Sequence, residues 1–433
     1  MSRTNTENSA PSALVGVWAL FLGFAFLQVG NGLQRILLPI RAESEGFSAG
    51  AMGAVMAFHF AGYLAGAKLI TRALNSVGHI RVFAALASLA STAVLLTAVL
   101  VLPVAWSAIY FVGGICNAGV FVVLESWLND KATNETRGQI LGIYMMIMMA
   151  STAGGQMLVN LAPPEGFQLF VLSSVLISIA VIPVTLSAGI SAPMPSSETM
   201  RVRELYQTIP SAVVGIILCS FVQSATTSMA AVFGTAAGLS TQRITLFTSA
   251  AVVGAVLLQM PLGHLSDRHP RRAVILVVAS IALGLALVGA VIPPTSLVLI
   301  PLNLAFGAFV FPMYGQFVAL ANDWVAPQKR VAAASALILA SSTGAVAAPM
   351  TLGVAIEVFG PGGYYLSLAA VLAVLVFYLG YRSQVREAVP LERQSAFQPV
   401  LARSGAIAHS VTRWVRHPLA EWNRDIPARD DHT

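Results

Sequence analysis

Polar side chains recur on one face of the first long apolar segment. Gln28, Asn31 and Arg35 fall at i, i+3 and i+7, which places them on one side of a helix. Arg within an apolar segment is costly to expose to lipid and normally faces a cavity or a partner. The set predicts a cavity that binds a solute by hydrogen bonds and charge. The alternative is that Arg35 reaches the membrane surface or pairs with Glu43 or Glu45.

Five uncharged polar residues lie inside later apolar segments. A single amide or phenol at such a position more often makes an interhelical hydrogen bond, worth about 0.6 kcal/mol, than a ligand contact. Together with the first set they are the candidates for solute binding. They are Asn117, Gln156, Gln223, Asn303 and Tyr314.

Two titratable residues inside apolar segments are candidates for proton coupling. The imidazole of His59 can bind a proton near neutral pH, and burial favours the neutral form of the Glu125 carboxyl. A packed histidine and a salt-bridged glutamate are the alternatives. The sequence has no nucleotide-binding loop, metal-ligand cluster or nucleophile arrangement. We therefore expect neither an enzyme nor a bound cofactor or metal.

The composition requires lipid as solvent. Of 433 residues, 57% are hydrophobic and 10% are charged, against about 45 to 50% and about 25% in soluble domains. The net charge of +6 comes from basic residues scattered between apolar runs, so no nucleic-acid partner is expected. The expected partners are membrane lipid and a small-molecule substrate, and we expect a monomer.

Twelve apolar runs are long enough to span a bilayer, which takes about 20 residues. Lipid offers the backbone no hydrogen-bond partners, so these runs must be helices. The predicted organisation is a segment 1–13, a six-helix bundle 14–189, a linker 190–208, a second six-helix bundle 209–382 and a basic tail 383–433. The predicted spans are 14–40, 49–71, 81–104, 106–128, 138–161, 167–189, 209–235, 244–266, 272–292, 296–321, 331–354 and 364–382.

The distribution of positive charge predicts the orientation. With the N-terminus in the cytoplasm, all but three of the 24 Lys and Arg residues fall on the cytoplasmic side. The three exceptions are Arg35, Arg41 and Arg243. Cytoplasmic loops are enriched in these residues. We therefore expect a multi-pass membrane protein with both termini in the cytoplasm. The first span is too long for the apolar region of a cleaved signal peptide, so we expect it to be retained.

The two halves repeat an acidic and a basic residue. Asp130 and Arg137 follow the fourth span, and Asp323 and Arg330 follow the tenth with the same spacing. A parallel repeat of two six-helix halves is an arrangement that places a substrate site between halves that move against each other.

The stretch Gly263 to Arg272, Gly-His-Leu-Ser-Asp-Arg-His-Pro-Arg-Arg, resembles the loop Gly-x-Leu-(Ala/Ser)-Asp-Arg-x-x-Arg-Arg of the major facilitator superfamily. Glu125 to Asn129, with Arg137-Gly138 following, resembles its YcaD-like bacterial branch. The resemblance implies an all-α integral membrane fold of 12 transmembrane helices in two six-helix bundles, with helices 1, 4, 7 and 10 lining the cavity. The gating residues it implies are Gly263, Asp267, Arg268, Arg271, Arg272, Asp130, Arg137, Asp323 and Arg330.

Three departures from the family pattern are visible. The loop between Gly66 and Arg81 has no Asp, Tyr110 stands where the family often has Arg, and Gly154-Gly155 lack the proline typical of exporters. In the second half, we expect Asp267 to pair with Arg268 or Arg272, or to face a helix N-terminus.

The resemblance implies a secondary active transporter of the bacterial inner membrane that moves a small organic solute by alternating access, with proton coupling as a further expectation. The alternative is a transporter-derived solute sensor or scaffold that signals through the tail 383–433. Apolar residues of that tail can share a helical face and lie on the inner leaflet.

Overall fold

The computed structural model describes residues 10–131, 137–186, 200–326, 329–385 and 394. Within them, 12 helical spans are long and apolar enough to cross a membrane. The predicted fold class, an all-α membrane protein of two six-helix bundles, is confirmed.

In its described residues, the first half contains seven helices and a 3-10 turn, Leu158–Leu161, after the fifth helix. The predicted sixth span is divided into two helices. Pro183 has no N–H to continue the first of them but fits the opening turn of the second. The helices are α1 (Ala10–Ser44), α2 (Ala49–Val77), α3 (His79–Val99), α4 (Pro103–Lys131), α5 (Arg137–Met157), α6 (Gln168–Ile179) and α7 (Val181–Leu186).

The second half begins after a short helix in the predicted linker, where the sequence had suggested only a connection. The predicted seventh span is also divided, at Met229. The helices are α8 (Val202–Thr208), α9 (Pro210–Ser228), α10 (Ala230–Ala236), α11 (Thr241–Arg268), α12 (Arg271–Val291), α13 (Leu299–Trp324), α14 (Arg330–Phe359) and α15 (Gly362–Val385).

Equivalent helices pack in equivalent pairs in the two halves. In the first half α1 packs on α5, α2 on α4, and α3 on α6; in the second half α9 packs on α14, α11 on α13, and α12 on α15. Two hydrophobic cores are centred one in each half, around Phe24, Phe121 and Phe170 and around Phe233 and Phe306. Each also includes some side chains of the other half, such as Ile244 in the first core and Trp106 in the second. The packing thus repeats as the sequence does.

The halves meet through α2 against α14, α1 against α10, and α5 against α11. The ends of these helices lie at the face formed by the loops 45–48, 158–167, 237–240 and 360–361, which we call the closed face. The opposite face, where α8 joins the two halves, is the linker face.

Candidate functional site

A cavity of about 140 Å³ lies between the two halves; we call it the central cavity. The first half contributes mainly aromatic and Met side chains, among them Phe60, Tyr63 and Phe121, and the second half contributes a set of hydroxyl groups. The hydroxyl-bearing residues of the second half are Ser220, Ser224, Thr227, Ser341 and Ser342.

Three of the predicted solute-binding residues line the central cavity. They are Gln28, Arg35 and Gln223. The amide of Gln223 donates to the carbonyls of Val310 and Phe311, both at 3.0 Å. Gln223 therefore joins α9 to α13 while lining the cavity, so its positioning is fixed by a neighbouring helix.

A second cavity of about 50 Å³, the side cavity, adjoins the first. Its lining includes Asn31, His59 and Asn117. Arg35 lines both cavities. The polar face predicted on α1 is thus turned toward the interior, and Asn31 donates to Gln28 at 3.2 Å on that face. Glu45, one proposed alternative partner of Arg35, instead pairs with Arg41 at 2.6 Å.

Four candidates lie outside both linings. The amide of Asn303 donates to the Phe247 carbonyl at 2.7 Å, and Gln156 accepts from Ser249 at 2.9 Å. Tyr314 and Glu125 are buried elsewhere in α13 and α4. In this conformation Asn303 joins α11 to α13, and Gln156 joins the two halves rather than facing the cavities.

At the closed face, a carboxylate from the second half accepts hydrogen bonds at the start of a helix of the first half. Glu357, near the end of α14, accepts from the Gly50 backbone N–H at 3.1 Å and from the Ser48 hydroxyl at 3.3 Å. Ser48 also caps α2 by accepting from Ala51. Deeper in the same contact, a Cβ at Gly53 would meet the Pro349 carbonyl and the Gly353 Cα. The absence of a side chain at Gly53 is what lets α2 and α14 approach this closely.

At the linker face, one arginine joins three helices. Arg271 contacts Asp267 at 3.1 Å and Asp323 at 3.4 Å. The Arg271 and Asp323 side chains are each 1% exposed, against 32% for Asp267. This charged cluster connects the end of α11, the start of α12 and the end of α13.

The prediction for Asp267 named Arg268, Arg272 or a helix N-terminus. The observed partner is Arg271, the first residue of α12, rather than either of the two named arginines. Arg268 is exposed, and Arg272 donates to the Arg382 carbonyl of α15 at 3.0 Å. Successive residues of a helix point about 100° apart, so when Arg271 faces α13 its neighbour must face elsewhere. Gly263 is buried in α11, and Arg330 begins α14 and is partly buried.

The first half has a neutral counterpart of the charged cluster. His79, the first residue of α3, is hydrogen-bonded to the Ser126 hydroxyl of α4 at 2.9 Å, and its ring lies against Trp127. The side chains of Asp130 and Arg137 lie outside the described residues.

The hydroxyl groups of the central cavity, the contact of Glu357 and the contact of His79 were not predicted from the sequence. A Ser immediately before a helix is the usual N-cap signal and was available at Ser48. Glu357, an acid at the end of an apolar span, was the signal for its contact.

Comparisons with known proteins agree with this architecture. The sequence profile of the family described as Major Facilitator Superfamily matches residues 212–423. The MFS-type transporter YcaD of Escherichia fergusonii is 24% identical over 366 residues, covering 84% of this chain and 94% of that protein. YcaD of an Escherichia coli strain is 22% identical over 365 residues, with the same coverage. The predicted resemblance to the YcaD-like branch is confirmed.

Solved structures share the fold. The bacterial homologue of the human lysosomal transporter Spinster, inward-facing and occupied, superposes with a TM-score of 0.71 at 16% identity, covering 91% of this chain and all of that one. The nucleoside transporter NupG gives 0.70 at 14% identity, covering 84% and 98%. The Escherichia coli fucose:proton symporter FucP gives 0.53 at 16% identity, covering 86% and 100%.

Proposed function

Because this chain belongs to the major facilitator superfamily of transporters, we propose that it moves a small organic solute across the bacterial inner membrane by alternating access. The solute binds in the central and side cavities. The two six-helix halves then move against each other, so that the closed face opens and the linker face closes.

The observation that carries this proposal is the position of the central cavity relative to the inter-half contacts. The cavity lies between the halves, and the polar contacts across them, Glu357 with Gly50 and Gln156 with Ser249, lie toward the closed face. A site between two repeats that is closed by contacts at one end is what one state of a rocking transporter requires.

The orientation follows from the basic residues. With both termini cytoplasmic, the linker face is cytoplasmic and the closed face is outer, so the described conformation faces inward. The charged residues at the linker face, Arg271, Arg272 and Lys329 among them, agree with the excess of Lys and Arg expected there.

Proton coupling would use the two titratable groups inside the spans. His59 lines the side cavity beside Arg35, so a proton on its imidazole would alter the charge next to the solute. Glu125 is 2% exposed and lies within electrostatic reach of Tyr144 in α5 and Tyr314 in α13. Protonation of the Glu125 carboxyl would therefore change the electrostatic environment of a side chain in each half.

Locking the closed face tests the proposal. In a background lacking Cys116 and Cys219, Gly50→Cys and Glu357→Cys place thiols on the two halves where those residues meet. A short thiol-specific cross-linker should abolish solute flux in proteoliposomes, since the halves can no longer separate at this face. Reduction of a cleavable linker should restore flux.

The matched control is the pair Ser91→Cys and Ser174→Cys, which meet at 2.7 Å within the first half. Cross-linking this pair should leave flux unchanged, because no contact between the halves is fixed. Flux that survives complete cross-linking at Gly50 and Glu357 would contradict alternating access. A sensor or scaffold would bind solute but show no flux in any of these proteins.

A further inference from the structure

The central and side cavities differ in chemistry and share a wall. Phe60, Thr227 and Arg35 line both. The side cavity lies between the central cavity and the closed face, since its residues on α2, such as Met56 and His59, come from the part of that helix nearer the closed face. A ligand occupying both cavities would have one end near the closed face and the other at mid-membrane.

The shared wall carries a positive charge. Among the described residues that line the two cavities, Arg35 is the only one with a permanent charge, and none is acidic. Charges interact far more strongly in a low-dielectric interior than in water, and a guanidinium fork matches the geometry of a carboxylate. The lining as a whole therefore favours a solute with one negative charge.

Two buried polar atoms in the described linings of these cavities have no hydrogen-bond partner. They are the Oδ1 atom of Asn117, in the side cavity, and the Oγ atom of Ser220, in the central cavity. By contrast, Ser224 and Ser341 in the same lining donate to backbone carbonyls. Leaving a buried polar atom without a hydrogen bond is unfavourable, so both atoms are suited to meet a polar group of a ligand.

The body of the ligand would meet a different surface. Phe60, Tyr63 and Phe121 line the central cavity on the side of the first half, together with Met148 and Met149. Aromatic and Met side chains pack favourably against aromatic rings. The central cavity is thus suited to a flat apolar body, and the side cavity to a compact polar head.

We propose that the transported solute is an amphiphilic organic anion. Its charged head, with a hydroxyl or another hydrogen-bond donor next to the charge, occupies the side cavity between Arg35 and Asn117. Its aromatic or apolar body occupies the central cavity. This inference deepens the proposed function and rests on it, because it assigns the substrate class of the same site.

Three related probes separate the contributions of charge and hydroxyl. Mandelate carries a phenyl body, a carboxylate and a hydroxyl; phenylacetate lacks the hydroxyl, and mandelamide lacks the charge. Cys116 and Cys219 are buried free thiols, so a thiol-reactive dye reports thermal unfolding of the purified protein. Ligands that bind the folded state raise the melting temperature in a concentration-dependent way. Mandelate should bind about tenfold more tightly than either analogue, since each loses one polar contact.

Variants assign each preference to a residue. Arg35→Gln should remove the preference for mandelate over mandelamide. Asn117→Leu, of similar volume, should remove the preference for mandelate over phenylacetate and keep the preference for charge. Arg41→Gln is the matched control, because Arg41 lies on the same helix, pairs with Glu45 and lines neither cavity. It should leave all three affinities unchanged.

If Arg35→Gln does not fold, Arg35→Lys serves instead: it keeps the charge without the fork and should weaken mandelate binding about tenfold. Mandelamide binding as tightly as mandelate, or no stabilisation by mandelate at millimolar concentration, would overturn the proposal. So would an unchanged preference for mandelate in Arg35→Gln.

Flux separates this inference from the proposed function. Mandelate that binds with the predicted preferences but does not cross proteoliposome membranes would support the anion site and count against transport. Flux of a neutral or cationic solute, with no stabilisation by mandelate, would support transport and overturn the anion site.

Discussion

The two halves make the same connection at the linker face with different chemistry. In each half, the first residue of the third span contacts the fourth: His79 meets Ser126 at 2.9 Å, and Arg271 meets Asp323 at 3.4 Å. Arg271 also contacts Asp267 at the end of the preceding helix. The equivalent loop of the first half has no Asp between Gly66 and Arg81.

The difference shows how one fold can place strong and weak connections at equivalent positions. A buried ion pair is costly to break, because the remaining charge stays in a poor solvent. A neutral hydrogen bond contributes only about 0.5 to 1.5 kcal/mol. The charged cluster therefore holds α11, α12 and α13 as a unit. The His79 contact between α3 and α4 contributes less stabilising free energy. We therefore expect the contact in the first half to break more readily at the linker face than the charged cluster in the second half.

The largest effect is expected for Arg271→Met. This change removes the guanidinium beside Asp323, whose side chain is 1% exposed. Breaking such a pair from one side typically costs about 3 to 5 kcal/mol. The melting temperature, followed by the thiol-reactive dye in the absence of ligand, should fall further than in variants of His79 or Asp267.

Adding Asp323→Leu to Arg271→Met is the control. With both charges removed, most of the stability should return, since an apolar pair can replace a buried ion pair at little cost. A double variant that melts as low as Arg271→Met alone would show that packing of the Arg271 stem, rather than charge, accounts for the loss.

A smaller effect is expected for His79→Leu, which removes the hydrogen bond to Ser126. The loss should be about 1 kcal/mol and should fall to nearly nothing in a Ser126→Ala background, because the two changes remove the same contact. Thermal unfolding of the two single variants and the double variant gives the coupling. A loss in His79→Leu equal to that in Arg271→Met would remove the distinction between the halves.

The sequence predicts the elements of this comparison better than their contacts. Twelve spans follow from apolar length, and the polar face of α1 follows from the spacing of Gln28, Asn31 and Arg35. The choice of Arg271 over Arg272 depends on the direction in which α12 starts after Pro270, which is set by tertiary packing. The sequence predicts Asn303 as a cavity residue for a related reason. A mid-span amide can face a ligand or a neighbouring carbonyl, and only the position of α11 determines which of the two it contacts.

The smallest effect on stability is expected for Asp267→Asn. Asp267 also contacts Arg271, but its side chain is 32% exposed, so water screens the pair, and exposed pairs contribute about 0.2 to 1 kcal/mol. The Asn oxygen can still accept a hydrogen bond from Arg271, which keeps its main partner Asp323. The melting temperature should therefore stay close to that of the unmodified protein, and close to that of Arg268→Gln, a control at the neighbouring exposed position. A loss as large as that of Arg271→Met would mean that Asp267, not Asp323, holds the arginine in place. The three helices would then be joined through the exposed end of the charged cluster rather than its buried one.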